Sequence, residues 1–146
     1  MIYLDSSYLV RLYLRQPGST EVDAWISGQG DWVCCLHGRL EVVSALKRQQ
    51  REGHVDARGL RAALLELARD ESSTLLQWLP VTPELVESAC ARMASLPAAV
   101  FLRAADALHL ACAADAGLKE IYSHDRHLLA AAPHFKLKGI DVIKTL

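Results

Sequence analysis

Four acidic residues of this chain stand where a carboxylate could do chemistry. Asp5 and Asp125 each follow a short apolar run, Glu41 lies in a helical segment rich in apolar residues, and Asp106 interrupts one that is almost wholly apolar. Carboxylate oxygens in such a set suit Mg²⁺ or Mn²⁺. Those ions also bind phosphate oxygens and lower the pKa of a bound water. The four acids together therefore indicate metal-dependent chemistry on a phosphate.

Each acid also has a simpler explanation. Asp5 could cap the helix that follows it, and Glu41, expected in the first turn of its helix, would suit the helix dipole. Asp106 could form an ion pair with Arg103, because a carboxylate in an apolar helix is costly unless something pairs with it. If the four acids share one pocket, however, they repel each other and need a compensating cation. That requirement favours the metal.

The pattern of apolar runs predicts the elements that position these acids. Strands are expected at residues 1–4, 32–36, 75–81, 120–123 and 140–143, with helical patterns between them. This alternation predicts an α/β fold, a three-layer α/β/α sandwich around a mostly parallel sheet of about five strands. Since parallel strands hold ligands beyond their carboxyl ends, Asp5 and Asp125 are expected at that edge of the sheet.

Finer features of the helices follow from their first residues and apolar positions. Ser19 is expected to cap the second helix, and Thr82, followed by Pro83, the fifth. In the third helix, Leu40 and Val43 are expected on the apolar side, together with Leu46.

With these contexts in place, the chain resembles the PIN-domain ribonucleases, and within them the VapC-type toxins of bacterial toxin–antitoxin pairs. Four motifs carry the resemblance: Asp-Ser-Ser at 5–7, Arg-Leu-Glu-Val-Val-Ser-Ala-Leu at 39–46, Ala-Asp-Ala-Leu-His-Leu-Ala at 105–111 and Ser-His-Asp-Arg-His-Leu at 123–128. Because the motifs span nearly the whole chain, a single PIN-like domain over residues 1–146 is expected.

The resemblance implies a Mg²⁺- or Mn²⁺-dependent endoribonuclease that cleaves structured RNA such as tRNA or rRNA. It also implies inhibition by a small cognate antitoxin and, often, a homodimer. The positions that match the family's acids are Asp5, Glu41, Asp106 and Asp125. Two further positions, Ser7 and Ser123, match hydroxyl or amide residues of the family that could hold a metal-bound water or a carboxylate.

The mechanism implied by this resemblance gives each acid a task. Asp5, Asp106 and Asp125 are expected to hold the catalytic ion, while Glu41 orients the attacking water or binds a second ion. In-line attack of water on the phosphodiester would leave 5′-phosphate and 3′-hydroxyl ends.

Other functions remain open at this stage. A PIN-like RNA-binding or regulatory module with little or no turnover is the main alternative. A receiver domain or an aspartate-nucleophile phosphatase is weakened because Asp5-Ser6-Ser7 lacks the Asp-x-Asp pair that such chemistry uses. A zinc site built from His109, His124 and His127 is conceivable, but surface or supporting roles are favoured for these histidines.

The composition is that of a globular protein. Of 146 residues 51% are hydrophobic and 23% charged, and the net charge of −1 carries no global signal for nucleic-acid binding. Apolar stretches fall short of the roughly 20 residues that cross a bilayer, and no charged region precedes the first one. A cytoplasmic protein without a membrane partner is expected. The four cysteines lack a C-x-x-C pair, which argues against a zinc ribbon, and are expected to be buried.

Overall fold

The computed structural model describes residues 1–144 as an alternation of short parallel strands and helices. The strands are β1 (Ile2–Tyr3), β2 (Trp32–Cys35), β3 (Leu76–Leu79), β4 (Glu120–Tyr122) and β5 (Lys138–Ile140). The helices are α1 (Ser6–Tyr13), α2 (Ser19–Ile26), α3 (His37–Arg51), α4 (Ala57–Ser72), α5 (Pro83–Ala94), α6 (Ala104–Asp115) and α7 (Arg126–Ala131). A 3₁₀ turn over Ala132–Phe135 connects α7 to β5.

The five strands run parallel in the order β3-β2-β1-β4-β5. Strands β1, β2 and β3 pair in one group and β4 pairs with β5. A parallel bridge between Leu4 and Tyr122 joins the two groups directly after β1. The predicted α/β class with a parallel sheet is confirmed.

This strand order places helices on both faces of the sheet. Right-handed crossovers that run from β1 to β2 and on to β3 put α1–α4 on one face. The chain then crosses back to β4 and β5 in the opposite direction, so α5–α7 cover the other face. Accordingly α1 packs against α2, α3 and α4, whereas α6 packs against α5, β2 and β4. The direction reverses between β1 and β4, and parallel sheets of this type bind ligands at such a point.

The central strands are buried on both sides. Tyr3, Leu4, Val33, Cys34 and Cys35 are all fully inaccessible to solvent. An unbroken apolar run without alternation is what a covered parallel strand requires. Within residues 1–144, no helix combines the length and apolar character needed to cross a bilayer.

Several boundary predictions were wrong. Ser19 is the first residue of α2 and not its cap, because its hydroxyl donates to the carbonyls of Arg11 and Leu14 and so ties α2 to α1. The last strand lies at Lys138–Ile140 and not at residues 140–143. Lys136, in the left-handed region, ends the 3₁₀ turn, so the chain becomes extended before residue 140.

The predicted apolar face of α3 is confirmed for Leu46 and for Val43, which packs on the core, but is wrong for Leu40. The helix begins at His37, two residues early, so Glu41 lies in its second turn. Val42 and Leu46 face the core, while Leu40 is 74% exposed. Three cysteines are buried as expected, but Cys90 is exposed on α5.

Candidate active site

All four predicted acids line one cavity at the carboxyl ends of the strands. The cavity holds about 290 Å³, and Asp5, Glu41, Asp106 and Asp125 contribute to its wall. Asp5 follows β1 and Asp125 follows β4, the two strands that flank the reversal in strand order. Glu41 reaches the cavity from α3 and Asp106 from the first turn of α6. Four separate elements thus bring the carboxylates together.

Asp5 is the most deeply placed of these acids. Only 3% of it is exposed, and its carboxylate accepts hydrogen bonds from Ser7 Oγ (2.6 Å), Ser123 Oγ (2.5 Å) and the Tyr8 amide (3.2 Å). The Tyr8 bond shows that Asp5 caps α1 as well. Burial raises the pKa of Asp5, although the charge of His109 and the two serine hydroxyls act in the opposite direction. A buried carboxylate of this kind is costly without a cation.

The two predicted serines support this carboxylate. The amide of His124 donates to Ser7 Oγ (3.0 Å), and the amide of Asp125 donates to Ser123 Oγ (2.9 Å). Each hydroxyl therefore accepts from the segment after β4 and donates to Asp5. Their position corresponds to the predicted option in which they hold a carboxylate.

Arg103 joins the other two aspartates. Its Nε donates to Asp106 Oδ2 (2.9 Å), and its terminal nitrogen donates to Asp125 Oδ2 (2.7 Å). The simpler explanation for Asp106, an ion pair with Arg103, is therefore present in the structure. The second contact, to Asp125, has no signal in the sequence because the two residues lie 22 positions apart. Asp125 also caps α7 through the amides of His127 and Leu128.

Glu41 is held by a chain of hydrogen bonds that leads into the core. Its Oε1 lies 2.6 Å from His109 Nε2, and His109 Nδ1 lies 2.8 Å from the hydroxyl of Tyr3. The Tyr3 hydroxyl in turn accepts from the amide of Cys35 (2.9 Å). Burial raises the pKa of Glu41, but the hydrogen bond and charge of His109, together with the charge of His37 and the hydroxyl of Ser6, lower it, and the net shift is downward. Glu41 is thereby kept ionised.

The histidines separate into different environments. His109 is 1% exposed, so a surface role is wrong and its supporting contact to Glu41 remains. His124 bonds to Asp141 (2.7 Å), and the ring of His127 packs on Phe101. The three histidines considered for zinc therefore do not form one site.

Basic side chains share the same cavity. Arg11, Arg48 and Arg103 line it beside the carboxylates. Guanidinium groups are suited to phosphate oxygens because they offer a fork of donors. This arrangement of acids flanked by arginines was not predicted, since Arg11 and Arg48 stand on different helices and show no shared motif.

The donor set fits a hard divalent cation. Four carboxylates converge, and among residues 1–144 Arg103 supplies the guanidinium that forms ion pairs with them. Asp5 is buried and receives only neutral donors at its oxygens. This excess of negative charge, presented by oxygen atoms, is what Mg²⁺ or Mn²⁺ compensates.

Known proteins resemble this chain in sequence. The PIN domain family model matches residues 2–133. The chain is similar to ribonuclease VapC47 of Mycobacterium tuberculosis, with 30% identity over 136 residues that cover 89% of this chain and 88% of the relative.

Two solved structures share the fold. One is VapC20 of Mycobacterium tuberculosis, described as a sarcin–ricin-loop cleaving toxin, with a TM-score of 0.70, 22% identity and coverage of 90% of this chain and 95% of that one. The other is FitAcB from Neisseria gonorrhoeae, with a TM-score of 0.73, 16% identity and coverage of 97% and 98%.

Proposed function

The chain belongs to the PIN-domain family and is of the VapC ribonuclease type, and from this premise we propose that it is a Mg²⁺- or Mn²⁺-dependent endoribonuclease toxin. The proposed substrate is structured RNA such as tRNA or rRNA, in line with the neighbour described as cleaving the sarcin–ricin loop. We further propose that the whole chain acts as a single PIN-like domain.

The observation that carries this proposal is the convergence of Asp5, Glu41, Asp106 and Asp125 on one cavity. In the proposed site Asp5, Asp106 and Asp125 hold the ion. A bound divalent ion would supply positive charge for phosphate oxygens and a lower pKa for a nearby water. Arg11 and Arg48, on the same cavity wall, are placed to receive the phosphates that flank the cleaved bond.

Glu41 is assigned to the attacking water. Its Oε1 accepts from His109 Nε2, so Oε2 is left to accept a hydrogen bond from water in the cavity. The water oxygen attacks phosphorus in line and its proton passes to Glu41 Oε2, while the bond from phosphorus to the 3′-oxygen breaks and that oxygen takes up a proton. The products are a 5′-phosphate and a 3′-hydroxyl, and the RNA 2′-hydroxyl is not the nucleophile.

The proposed partners follow from the same family membership. We propose a small cognate antitoxin that binds and inhibits the chain, and a homodimer as the assembly. Co-expression with the cognate antitoxin should relieve growth arrest, and light scattering of the purified complex should give the mass of a dimeric toxin with its antitoxin. A monomeric mass at all concentrations would overturn the dimer.

The test of the nuclease compares wild type with Asp5→Ala and Asp106→Ala under induced expression, with mapping of RNA ends. Discrete 5′-phosphate ends and growth arrest, both lost in the two variants, are expected. Asp115→Ala is the matched control, because Asp115 lies on the same helix as Asp106 but pairs with Arg92. Arrest that survives both cavity substitutions would refute the carboxylate mechanism.

One alternative has an observation in its favour. Arg103 occupies Asp106 and Asp125 with two short ion pairs, as in a module that binds RNA without turnover. Purified wild-type protein that binds RNA but leaves it intact with Mg²⁺ and with Mn²⁺ would establish this alternative.

A further inference from the structure

A second cluster of metal-ligating side chains lies beside the carboxylates and is built differently. His37, Glu41 and His109 each direct one ligand atom to a common region, and these atoms lie within 4.8 Å of one another. His37 and Glu41 are four residues apart on α3, so they share one helix face, and His109 approaches from α6. Neither histidine lines the carboxylate cavity, whereas Glu41 does.

From this geometry we propose that His37, Glu41 and His109 bind a borderline transition-metal ion, Zn²⁺ in particular. Two imidazole nitrogens and one carboxylate oxygen are ligands that zinc prefers, and three protein ligands leave a fourth position for water. The neighbouring aspartates offer only oxygen and suit Mg²⁺ or Mn²⁺ instead. The chain would thus hold two chemically distinct metal sites that share Glu41.

The distances require little rearrangement. Glu41 Oε1 lies 3.5 Å from His37 Nε2 and 2.6 Å from His109 Nε2. Ligand atoms around a tetrahedral zinc are roughly 3.3 Å apart, given bonds of about 2.0–2.1 Å. The short contact between Glu41 and His109 would lengthen slightly. The ion would replace the proton of the hydrogen bond between these two side chains.

His109 is already oriented as a metal ligand. Its far nitrogen, Nδ1, is bonded to the hydroxyl of Tyr3, which is fixed by the Cys35 amide. A ligating histidine almost always has such a partner on its second nitrogen, because this bond fixes the ring and its tautomer. The ring is 1% exposed, so its direction is set by the core.

His37 contributes an independent observation. Its Nδ1 is buried without a hydrogen-bond partner among residues 1–144, while Nε2 lies 2.9 Å from the carbonyl of Ala105. Its ring lies against that of His109, with centroids 4.2 Å apart. Its Nε2 faces the Glu41 carboxylate, so a metal ion held by Nε2 would take the place of the contact to the Ala105 carbonyl.

The test measures metal binding directly and needs no RNA. The full chain, stripped of metal by a chelator, is titrated with Co²⁺ and then Zn²⁺, using the visible ligand-field absorption of Co²⁺. One Co²⁺ per chain with the strong absorption of tetrahedral nitrogen and oxygen ligation, displaced by Zn²⁺, is expected. His37→Gln should weaken binding by about tenfold or more, since one of three ligands is lost. His134→Gln, at an exposed histidine, should bind as wild type does.

A second measurement avoids substitutions altogether. In the imidazole nitrogen NMR spectrum of wild type, Zn²⁺ should shift His37 and His109 and leave His134 unchanged. Co²⁺ binding that survives His37→Gln but is lost in Asp106→Asn would overturn the proposal, because the ion would then occupy the carboxylates. Absence of any stoichiometric Co²⁺ or Zn²⁺ binding would overturn it equally.

A consequence for catalysis rests on the proposed function. Zinc bound through Oε1 would draw electron density from the Glu41 carboxylate and weaken the hydrogen bond of Oε2 to the attacking water, so Zn²⁺ should inhibit RNA cleavage measured in Mg²⁺. For each protein, the cleavage rate with Zn²⁺ is divided by the rate without Zn²⁺. This ratio should be near one for His37→Gln and small for wild type. If wild type cleaves no RNA at all, the proposed nuclease fails while the binding measurements still decide the zinc site.

Discussion

Ser123, directly after β4, donates its hydroxyl proton to the carboxylate of Asp5, directly after β1, although the two residues are 118 positions apart. This bond links the two groups of strands, β1–β3 and β4–β5, at the point where the strand order reverses. The bond also fixes one oxygen of the Asp5 carboxylate, whose burial is energetically unfavourable. The same residue that is proposed to bind the ion is therefore a source of instability when no ion is present.

Asp5→Asn is expected to stabilise the metal-free protein while abolishing cleavage. Burial raises the pKa of Asp5, so the folded chain holds a proton there more tightly than the unfolded chain, whose carboxyl pKa is about 4. The free energy of unfolding of wild type should fall as the pH rises from about 4 through the raised pKa of Asp5. The variant should lack this decline. Urea unfolding with a chelator, across that pH range, is the measurement.

The added metal provides the complementary control for Asp5. Mg²⁺ or Mn²⁺ should raise the melting temperature of wild type and leave that of Asp5→Asn nearly unchanged, because a ligand stabilises only the state that binds it. A variant that is less stable than wild type at neutral pH without metal would contradict the assignment of Asp5 as a strained, ion-dependent carboxylate.

Arg103→Gln is expected to tighten Mn²⁺ binding. The guanidinium neutralises Asp106 and Asp125, yet its own side chain is 60% exposed and free to be displaced. Removing this competing cation should lower the Mn²⁺ dissociation constant by about fivefold, which corresponds to about 1 kcal/mol. Calorimetric titration of both proteins gives the ratio directly.

Arg92→Gln is the matched control for that substitution. Arg92 forms an ion pair of similar length with Asp115 (3.0 Å) on α6 but lies outside the cavity lining. Its loss should leave Mn²⁺ affinity unchanged. Weaker Mn²⁺ binding in Arg103→Gln would instead indicate that the guanidinium organises the site and does not compete for it.

Tyr3→Phe should destabilise the fold and slow cleavage together. The hydroxyl bonds both to His109 Nδ1 and to the amide of Cys35, in a fully buried place. Leaving these groups unpaired should cost about 1–3 kcal/mol of unfolding free energy. Because His109 holds Glu41, the cleavage rate should fall as well. Tyr13→Phe, which removes a bond to Asp70 near the surface, should leave cleavage intact. Equal effects of the two variants on cleavage would refute the role of the hydrogen-bond chain from Tyr3 through His109 to Glu41.

Gly38→Ala should destabilise the protein even though alanine favours a helix over glycine by about 1 kcal/mol. A methyl group at this position in α3 would stand 2.5 Å from Cys34 Sγ and 3.1 Å from His109 Cε1. Both neighbours are buried, so the overlap should cost about 1–3 kcal/mol and displace His109. Gly30→Ala, with no atom within 4 Å, is the control and should be nearly neutral in urea unfolding.

Much of the architecture can be predicted from the sequence. Apolar runs without alternation mark strands covered on both faces, and Asp5, Glu41, Asp106 and Asp125 stand out because acids are costly in apolar settings. The predictions of the fold class and the family were correct for these reasons. Element ends were less accurate, as with Ser19 and the start of α3, because contacts between helices decide them.

The contacts that complete the site depend on the tertiary structure. Arg103 reaches Asp125 only because α6 and the segment after β4 meet at the reversal in strand order. His37 and His109 become neighbours only because α3 and α6 begin at the same edge of the sheet. Spacing along a helix is periodic and can be read from sequence, whereas a contact between residues of separate elements, 22 or 72 positions apart here, depends on how the layers pack.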